Sequence, residues 1–211
     1  MELIRLDDID KVYGNKKVLD KFSLSINEGE FIAVTGASGK GKTTILNLIG
    51  LLDKPDNGKV IIDGVENIKP NSNKSMKFLR EKISYLFQNF ALIDEDTVNY
   101  NLEIALKYLK ASKAKKKEKI KEALKTVGLE GYEKRKVYEL SGGEQQRVAL
   151  ARIMLKPSKI ILADEPTGSL DEDNAKVIIK LLRGLNAGGK TIVIVTHDKH
   201  IAEQCDRVIN L

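Results

Sequence analysis

The stretch Phe31-Ile32-Ala33-Val34-Thr35-Gly36-Ala37-Ser38-Gly39-Lys40-Gly41-Lys42-Thr43 runs from five residues of buried-strand character straight into the pattern G-x-x-x-x-G-K-T. That spacing has a physical meaning when a strand feeds a helix through a glycine-rich turn. Glycines let backbone N–H groups curl around an anion, a helix beginning near Lys42 adds positive potential, and the Lys42 ammonium reaches the outer phosphates of a nucleotide. Gly36, Ala37, Ser38, Gly39, Lys40, Gly41, Lys42, Thr43 and Thr44 are therefore candidate nucleotide contacts, and the Thr43 hydroxyl is also a candidate magnesium ligand. Lys40 occupies a variable position of the pattern and is expected to face solvent.

Outward from this loop, short apolar runs bounded by turn residues alternate with helical stretches, the α/β pattern. Phe22, Leu24 and Ile26 alternate with polar residues as an edge strand, and Glu28-Gly29-Glu30 turns the chain into Phe31. Val60-Ile61-Ile62, between Asn57-Gly58 and Asp63-Gly64, predicts a small antiparallel sheet with hairpin turns. From about Asn89 to Tyr138 the strand runs vanish, and Leu102, Leu106 and Leu109 recur at i, i+4, i+7, which predicts an inserted helical subdomain. Strand-like runs resume at Lys159 to Ala163, Thr191 to Thr196 and Arg207 to Leu211, with a helix around Ala175 to Leu182 between the first two. The expected division is a catalytic core, 1–88 and 157–211, carrying the antiparallel β-subdomain, with a helical subdomain at about 89–156.

Two further motifs narrow the reading. Ile160-Ile161-Leu162-Ala163 ends in Asp164-Glu165: a carboxylate at such a strand end holds magnesium, and the next can polarise a water for in-line attack on a terminal phosphate. Leu140-Ser141-Gly142-Gly143-Glu144-Gln145-Gln146-Arg147 presents a hydroxyl and bare N–H groups at a helix start, a second anion cradle in one chain. With the phosphate loop, these motifs make the chain resemble the ATP-binding subunits of ABC transporters, nearly end to end. The resemblance implies a P-loop NTPase with a mostly parallel sheet and flanking helices, ATP as substrate and Mg2+ as cofactor. It implies that Ser141, Gly142, Gly143 and Glu144 close on the nucleotide of a second copy in a head-to-tail dimer. Gln88, after Ile83-Ser84-Tyr85-Leu86-Phe87, resembles the family's glutamine that touches magnesium in a loop meeting the membrane partner. His197, after Val195-Thr196, resembles the histidine that bonds the γ phosphate. Tyr13 stands where the family stacks an aromatic on adenine, and a core tyrosine is the competing reading. Ser169-Leu170-Asp171 resembles the loop that runs between the two sites. His200 matches nothing.

The resemblance also implies a permease partner, contacted through the Gln88 loop by an apolar patch of Phe87, Phe90, Leu92 and Ile93. Leu46 to Asp53 and Asp164 to Asp171 look like the subgroup serving macrolide efflux, lipoprotein release and bacteriocin or peptide export, although Ser169 stands where that subgroup commonly has asparagine. Two other classes stay open. An ATPase paired with a permease-like regulator of cell-wall hydrolases would use the same residues. A DNA-repair ATPase would need coiled coils or zinc modules for which the interval from Thr44 to Leu140 is too short.

Composition fits these expectations. The chain has 211 residues, 42% hydrophobic and 31% charged, a single Cys205, and no apolar run near the roughly 18 to 20 residues of a membrane span. An acidic N-terminus unlike a signal peptide, MELIRLDDID, predicts a cytosolic protein. With no span in the chain, the resemblance implies a peripheral subunit on the cytoplasmic face of the membrane and a permease on a separate polypeptide. Because the sequence ends soon after His197, the regulatory domain of many sugar importers is not expected. Cys205 is expected as a small buried or half-buried side chain. The net charge of +6 owes much to eight lysines between Lys110 and Lys125 over an apolar stripe of Ile120, Leu124 and Val127. This predicts an amphipathic helix with a solvated basic face, or one drawn to anionic lipid. Aromatic residues do not interleave with these lysines as base stacking would need, so nucleic acid is not an expected partner.

Overall fold

Five parallel strands form the central sheet of the computed structural model, which describes residues 1–211. Numbered in chain order, they lie side by side as β6 (Ile83–Leu86), β7 (Ile160–Asp164), β8 (Thr191–Val195), β3 (Phe31–Thr35) and β9 (Arg207–Asn210). A parallel sheet is covered on both faces, which is why the central strands β7, β8 and β3 read as nearly unbroken apolar runs. Ile32, Val34, Leu162 and Val193 pack on one face against Ile45, Leu46 and Ile49 of α1 (Lys42–Ile49). Phe31, Ala33, Ile161 and Ile194 pack on the other against α5 (Gly142–Met154) and α6 (Glu172–Ala187).

The second sheet is antiparallel, in the order β2 (Lys16–Asn27), β1 (Glu2–Tyr13), β4 (Asn57–Ile62) and β5 (Val65–Glu66). Phe22, Leu24 and Ile26 do lie on its edge. Asp63 and Gly64, with φ of 49° and 74°, make the β4–β5 turn. Asn57-Gly58 is not a turn: it sits inside β4, where the register against β1 shifts between Asp7 and Asp10. The strand β1 has no counterpart in the sequence reading. Its core side chains, Leu3, Ile4, Leu6 and Ile9, lose their alternation at Asp7-Asp8, where Asp8 has φ of 49° and the pairing with β2 is irregular.

Between the adjacent strands β6 and β7 the chain forms α3 (Val98–Ala105), α4 (Lys113–Thr126) and α5 around a third core cluster that includes Leu102, Leu124 and Val148. The leucine pattern outruns α3. Leu106 is its C-cap, buried, with its N–H on the Glu103 carbonyl and the following Lys107 N–H on that of Ile104, and Leu109 is 38% exposed beyond it. Ser112 then caps α4 through the Lys115 N–H. An unforeseen α2 (Asn73–Glu81) precedes β6, started by a reciprocal cap between Ser72 and Ser75. No helix is long and apolar enough to cross a membrane.

Candidate functional site

Because all five strands of the central sheet run parallel, their C-terminal ends share one edge, where open α/β sheets bind ligands. Strand β3 delivers the phosphate loop, β7 delivers Asp164 and Glu165, β8 leads to Thr196 and His197, and β6 leads to Gln88. The register places Leu86 beside Ala163, Asp164 beside Val195 and Val34 beside Val195, so all four carriers are consecutive in the sheet. A cleft of about 470 Å³ opens there, lined by Tyr13, Ser38, Lys42, Thr43, Thr44, Gln88, Asp164 and Glu165 among others.

Within it, the Lys42 ammonium donates to the Gly36 and Ala37 carbonyls at 2.8 and 3.1 Å and is held over the loop. Gly41 caps α1 with φ of 100°, and a Cβ there would come within 2.9 Å of Leu19 Cδ2. Lys40 is exposed, as its variable position suggested. The Thr43 hydroxyl lies 3.5 Å from Asp164 Oδ1. Burial pushes the Asp164 carboxyl above its usual value, the Glu165 charge adds to this, and Thr43 and Lys42 oppose it. A carboxylate disfavoured in this way gains from a nearby cation. Thr43, Asp164 and Gln88 all line this cleft, and oxygen-bearing side chains fit a hard cation such as Mg2+ that takes few protein ligands and keeps phosphates and water.

Glu165 Oε1 lies 2.9 Å from His197 Nδ1, with His197 largely exposed and Glu165 largely covered. Tyr13 is not a core residue: it is 45% exposed, and its hydroxyl donates to Asp53 Oδ2 at 2.6 Å. Lys11, on the other Asp53 oxygen, lies 5.0 Å from the Tyr13 ring centre. His200 contributes only its backbone, its N–H to the Asp198 cap and its carbonyl to the Gln204 amide. Cys205 is half-buried, its thiol pushed up to about 11 by burial, which leaves no thiolate for chemistry.

The second cradle starts α5. Ser141 Oγ accepts from the Glu144 N–H, and Glu144 Oε2 takes both the Ser141 N–H and hydroxyl, while Tyr132 donates to Glu144 Oε1 at 3.0 Å. The Glu144 carboxylate, grouped with the cradle from sequence, is thus occupied in fixing Ser141. Ser141 and Gly142 are exposed, but no residue of 141–144 lines the cleft that holds Lys42. Gly143 is confined: a Cβ would fall 2.4 Å from Asn174 Oδ1.

Four side chains missed from sequence tie α5 to the catalytic loops. Gln146, fully buried, donates to the Pro166 carbonyl at 2.6 Å. Arg147 donates to Asn174, which in turn donates to Asp171. Arg152 reaches the Ala91 and Phe90 carbonyls, holding the loop after Gln88 where Phe90 and Ala91 both have positive φ. Gln146 and Arg147 lay inside the quoted motif. Asn174 and Arg152 carried no local signal.

The apolar patch also differs from expectation. Phe90 and Leu92 pack against the core, and only Phe87 of the four opens onto an apolar groove. That groove, about 450 Å³, is lined mainly by Leu52, Met76, Leu79, Tyr85, Ile104 and Tyr108, several of them on α2 and α3.

Over residues 19–168 the sequence matches the ABC transporter family. The chain belongs to that family. As one of its cassettes it binds and hydrolyses ATP. It is 40% identical to the lipoprotein-releasing system ATP-binding protein LolD of Aquifex aeolicus, over all of this chain and 94% of that protein. It is 38% identical to the macrolide export ATP-binding/permease protein MacB of Mannheimia succiniciproducens. The cassette spans 33% of that relative's length. Among solved structures, the ATP-binding cassette MJ0796, dimeric in a post-hydrolysis state with ADP and Pi, superposes with a TM-score of 0.90 at 40% identity, covering 99% of this chain and 94% of that one.

Proposed function

We propose that the cassette is the ATP-hydrolysing subunit of a membrane transporter that drives export or release of a substrate through a permease. It would sit peripherally on the cytoplasmic face, with 1–88 and 157–211 as catalytic core and 89–156 as the helical subdomain. The observation that carries this reading is the separation of two anion cradles in one chain. The phosphate loop sits in one cleft with Asp164, Glu165 and Gln88, while Gly142 at the start of α5 opens onto an adjoining hollow that it shares with Gln88 and Asp164 but with no residue of the phosphate loop. A second copy, bringing its own Ser141 and Gly142 to the phosphates, completes each site.

In this reading Lys42 and the loop N–H groups hold the phosphates, Tyr13 offers its exposed ring to the adenine, and Ser141 and Gly142 receive the γ phosphate from across the dimer. Bound Mg2+, held by Thr43 and Asp164 with Gln88 close by, would neutralise charge on the β and γ phosphates. Glu165 accepts a proton from the attacking water, and His197 orients Glu165 and the γ phosphate together. The groove of Leu52, Met76, Phe87 and Ile104 adjoins Gln88 and suits a short amphipathic helix of the permease, so nucleotide state and permease position are coupled through one loop. The kinship to LolD and MacB supports export or release.

Purification of the tagged cassette from detergent-solubilised membranes tests this. A permease should copurify, and ATPase activity should follow it. An ATPase isolated with no membrane protein, or with a regulator of cell-wall hydrolases, would defeat the transport reading.

A further inference from the structure

The densest charge on the molecule lies away from the nucleotide. Nine lysines fall between Lys107 and Lys125, against Glu118 and Glu122. None of the nine forms an ion pair, although Lys59, Lys82, Lys159 and Lys176 elsewhere do. Only Ile120, Ala123 and Leu124 of α4 are buried. Its first turns stand off α3 across an open cleft of about 1060 Å³ lined by Lys107, Lys113, Lys116, Lys117 and Lys134, with Glu103 and Glu133 the only acids. Lysines and no acid in the first turn of α4 oppose the helix dipole, an arrangement that weakens the helix and that folding does not explain.

Beside the lysines runs an exposed stripe at four-residue intervals. Tyr100, Ile104 and Tyr108 are 48%, 44% and 64% exposed. The Tyr108 ring carries Arg80 and Lys107 at 4.7 and 5.9 Å from its centre. Amphipathic aromatic and aliphatic groups flanked by unpaired lysines match a bilayer interface, where rings settle at headgroup depth and ammonium groups meet phosphates. Ile104 and Tyr108 also line the apolar groove, so the two surfaces are continuous.

We propose that the α3–α4 face is a docking surface for anionic phospholipid headgroups, which holds the cassette against the bilayer beside that groove. The lipid contact is a property of this chain alone; its placement next to a permease rests on the function proposed above.

The test uses the full chain with vesicles of phosphatidylcholine alone or mixed with phosphatidylglycerol. The chain should sediment with the mixed vesicles only and be released as salt rises. Each lysine near an anionic surface is worth roughly fivefold in partitioning, so joint Lys113→Gln, Lys116→Gln and Lys117→Gln should weaken binding on the order of 100-fold. None of the three lines the nucleotide cleft, and ATP hydrolysis at the wild-type rate reports an intact fold. Joint Lys59→Gln, Lys69→Gln and Lys180→Gln removes the same charge elsewhere and should leave binding near wild type; an equal loss would mean that net charge alone is responsible and would overturn the proposal. The chain has no tryptophan, so Tyr108→Trp supplies a single fluorophore whose emission should shift to the blue on mixed vesicles. An unshifted emission on bound vesicles overturns the assignment to this face. Binding of duplex DNA as tight as that of mixed vesicles, with the same loss in the triple variant, overturns the choice of lipid. A cassette that hydrolyses ATP and copurifies with a permease yet ignores anionic vesicles would overturn the lipid contact and leave the groove reading standing.

Discussion

Glu165 holds φ at 44°, a left-handed conformation that costs a non-glycine residue on the order of 1 to 3 kcal/mol. Three bonds hold it: its N–H donates to the Val195 carbonyl, its carbonyl accepts from Gly168, and its carboxylate meets His197. So placed, Glu165 lines the cleft together with Asp164, on which its charge acts. Glu165→Gln keeps this geometry and removes the proton acceptor, so turnover should fall about 100- to 10,000-fold with ATP binding retained. An ATP-stabilised dimer should then accumulate on sizing chromatography; a monomer hydrolysing at the wild-type rate would assign the carboxylate elsewhere. Lys42→Ala acts earlier, on ground-state phosphate contacts, and should weaken binding of a fluorescent ATP analogue by about 10- to 100-fold. His197→Ala should spare that binding and lower the hydrolysis rate about 100-fold, the scale of one lost transition-state donor. That Lys42, Asp164 and Glu165 gather in one cleft was legible because each stands at or after a strand end at a fixed local spacing. Asn174 and Arg152 were not, because each acts across 27 or 61 positions of sequence through a fold that spacing does not encode.

The elements legible in sequence were those whose two faces or whose caps are unambiguous, such as four of the five parallel strands, β3, β7, β8 and β9, and the phosphate-loop helix. The strand β1 escaped because a bulge at Asp7-Asp8 shifts its phase, and a one-residue shift moves side chains to the other face. Helix α2 escaped because only Ser75 of its nine residues is buried. Yet α2 matters to the groove, and its end is held by Lys156, which follows α5 and donates to the Leu79 and Ile83 carbonyls at 2.7 and 2.9 Å. Burial, with the Arg152 charge adding to it, lowers the Lys156 ammonium from 10.5 to about 8. Below pH 8 this lysine is protonated in both states and the cost of burying it is paid in full. Between about 8 and 10.5 the unfolded chain binds the extra proton, so this site stabilises the fold as pH rises. Relative to Lys156→Met, the wild type should therefore gain up to about 3 kcal/mol across that window. Urea unfolding of both proteins at a series of pH values measures it, and a difference that stays flat with pH would mean that the ammonium remains hydrated.

At the scale of the whole molecule, the cradle at Ser141 makes sense only in an assembly, because α5 is pinned by Gln146, Arg147 and Arg152 to its own chain's loops and cannot swing its N-terminus over its own phosphates. Composite sites predict a particular arithmetic. A Lys42→Ala chain paired with a Ser141→Arg chain concentrates both lesions in one site and leaves the other with an intact phosphate loop and an intact cradle. Each variant by itself has both sites damaged. Mixing two inactive proteins should therefore restore ATPase activity, at a modest fraction of wild type because only mixed dimers contribute. A tethered dimer with the lesions in defined halves removes the dependence on mixing. If that tethered form stays silent while a tethered wild type is active, then either each site is completed within one chain or both sites must fire together. A third tether, carrying only a Lys42→Ala lesion in one half, separates these: activity near half of wild type points to sites completed within one chain, and no activity points to obligatory firing of both.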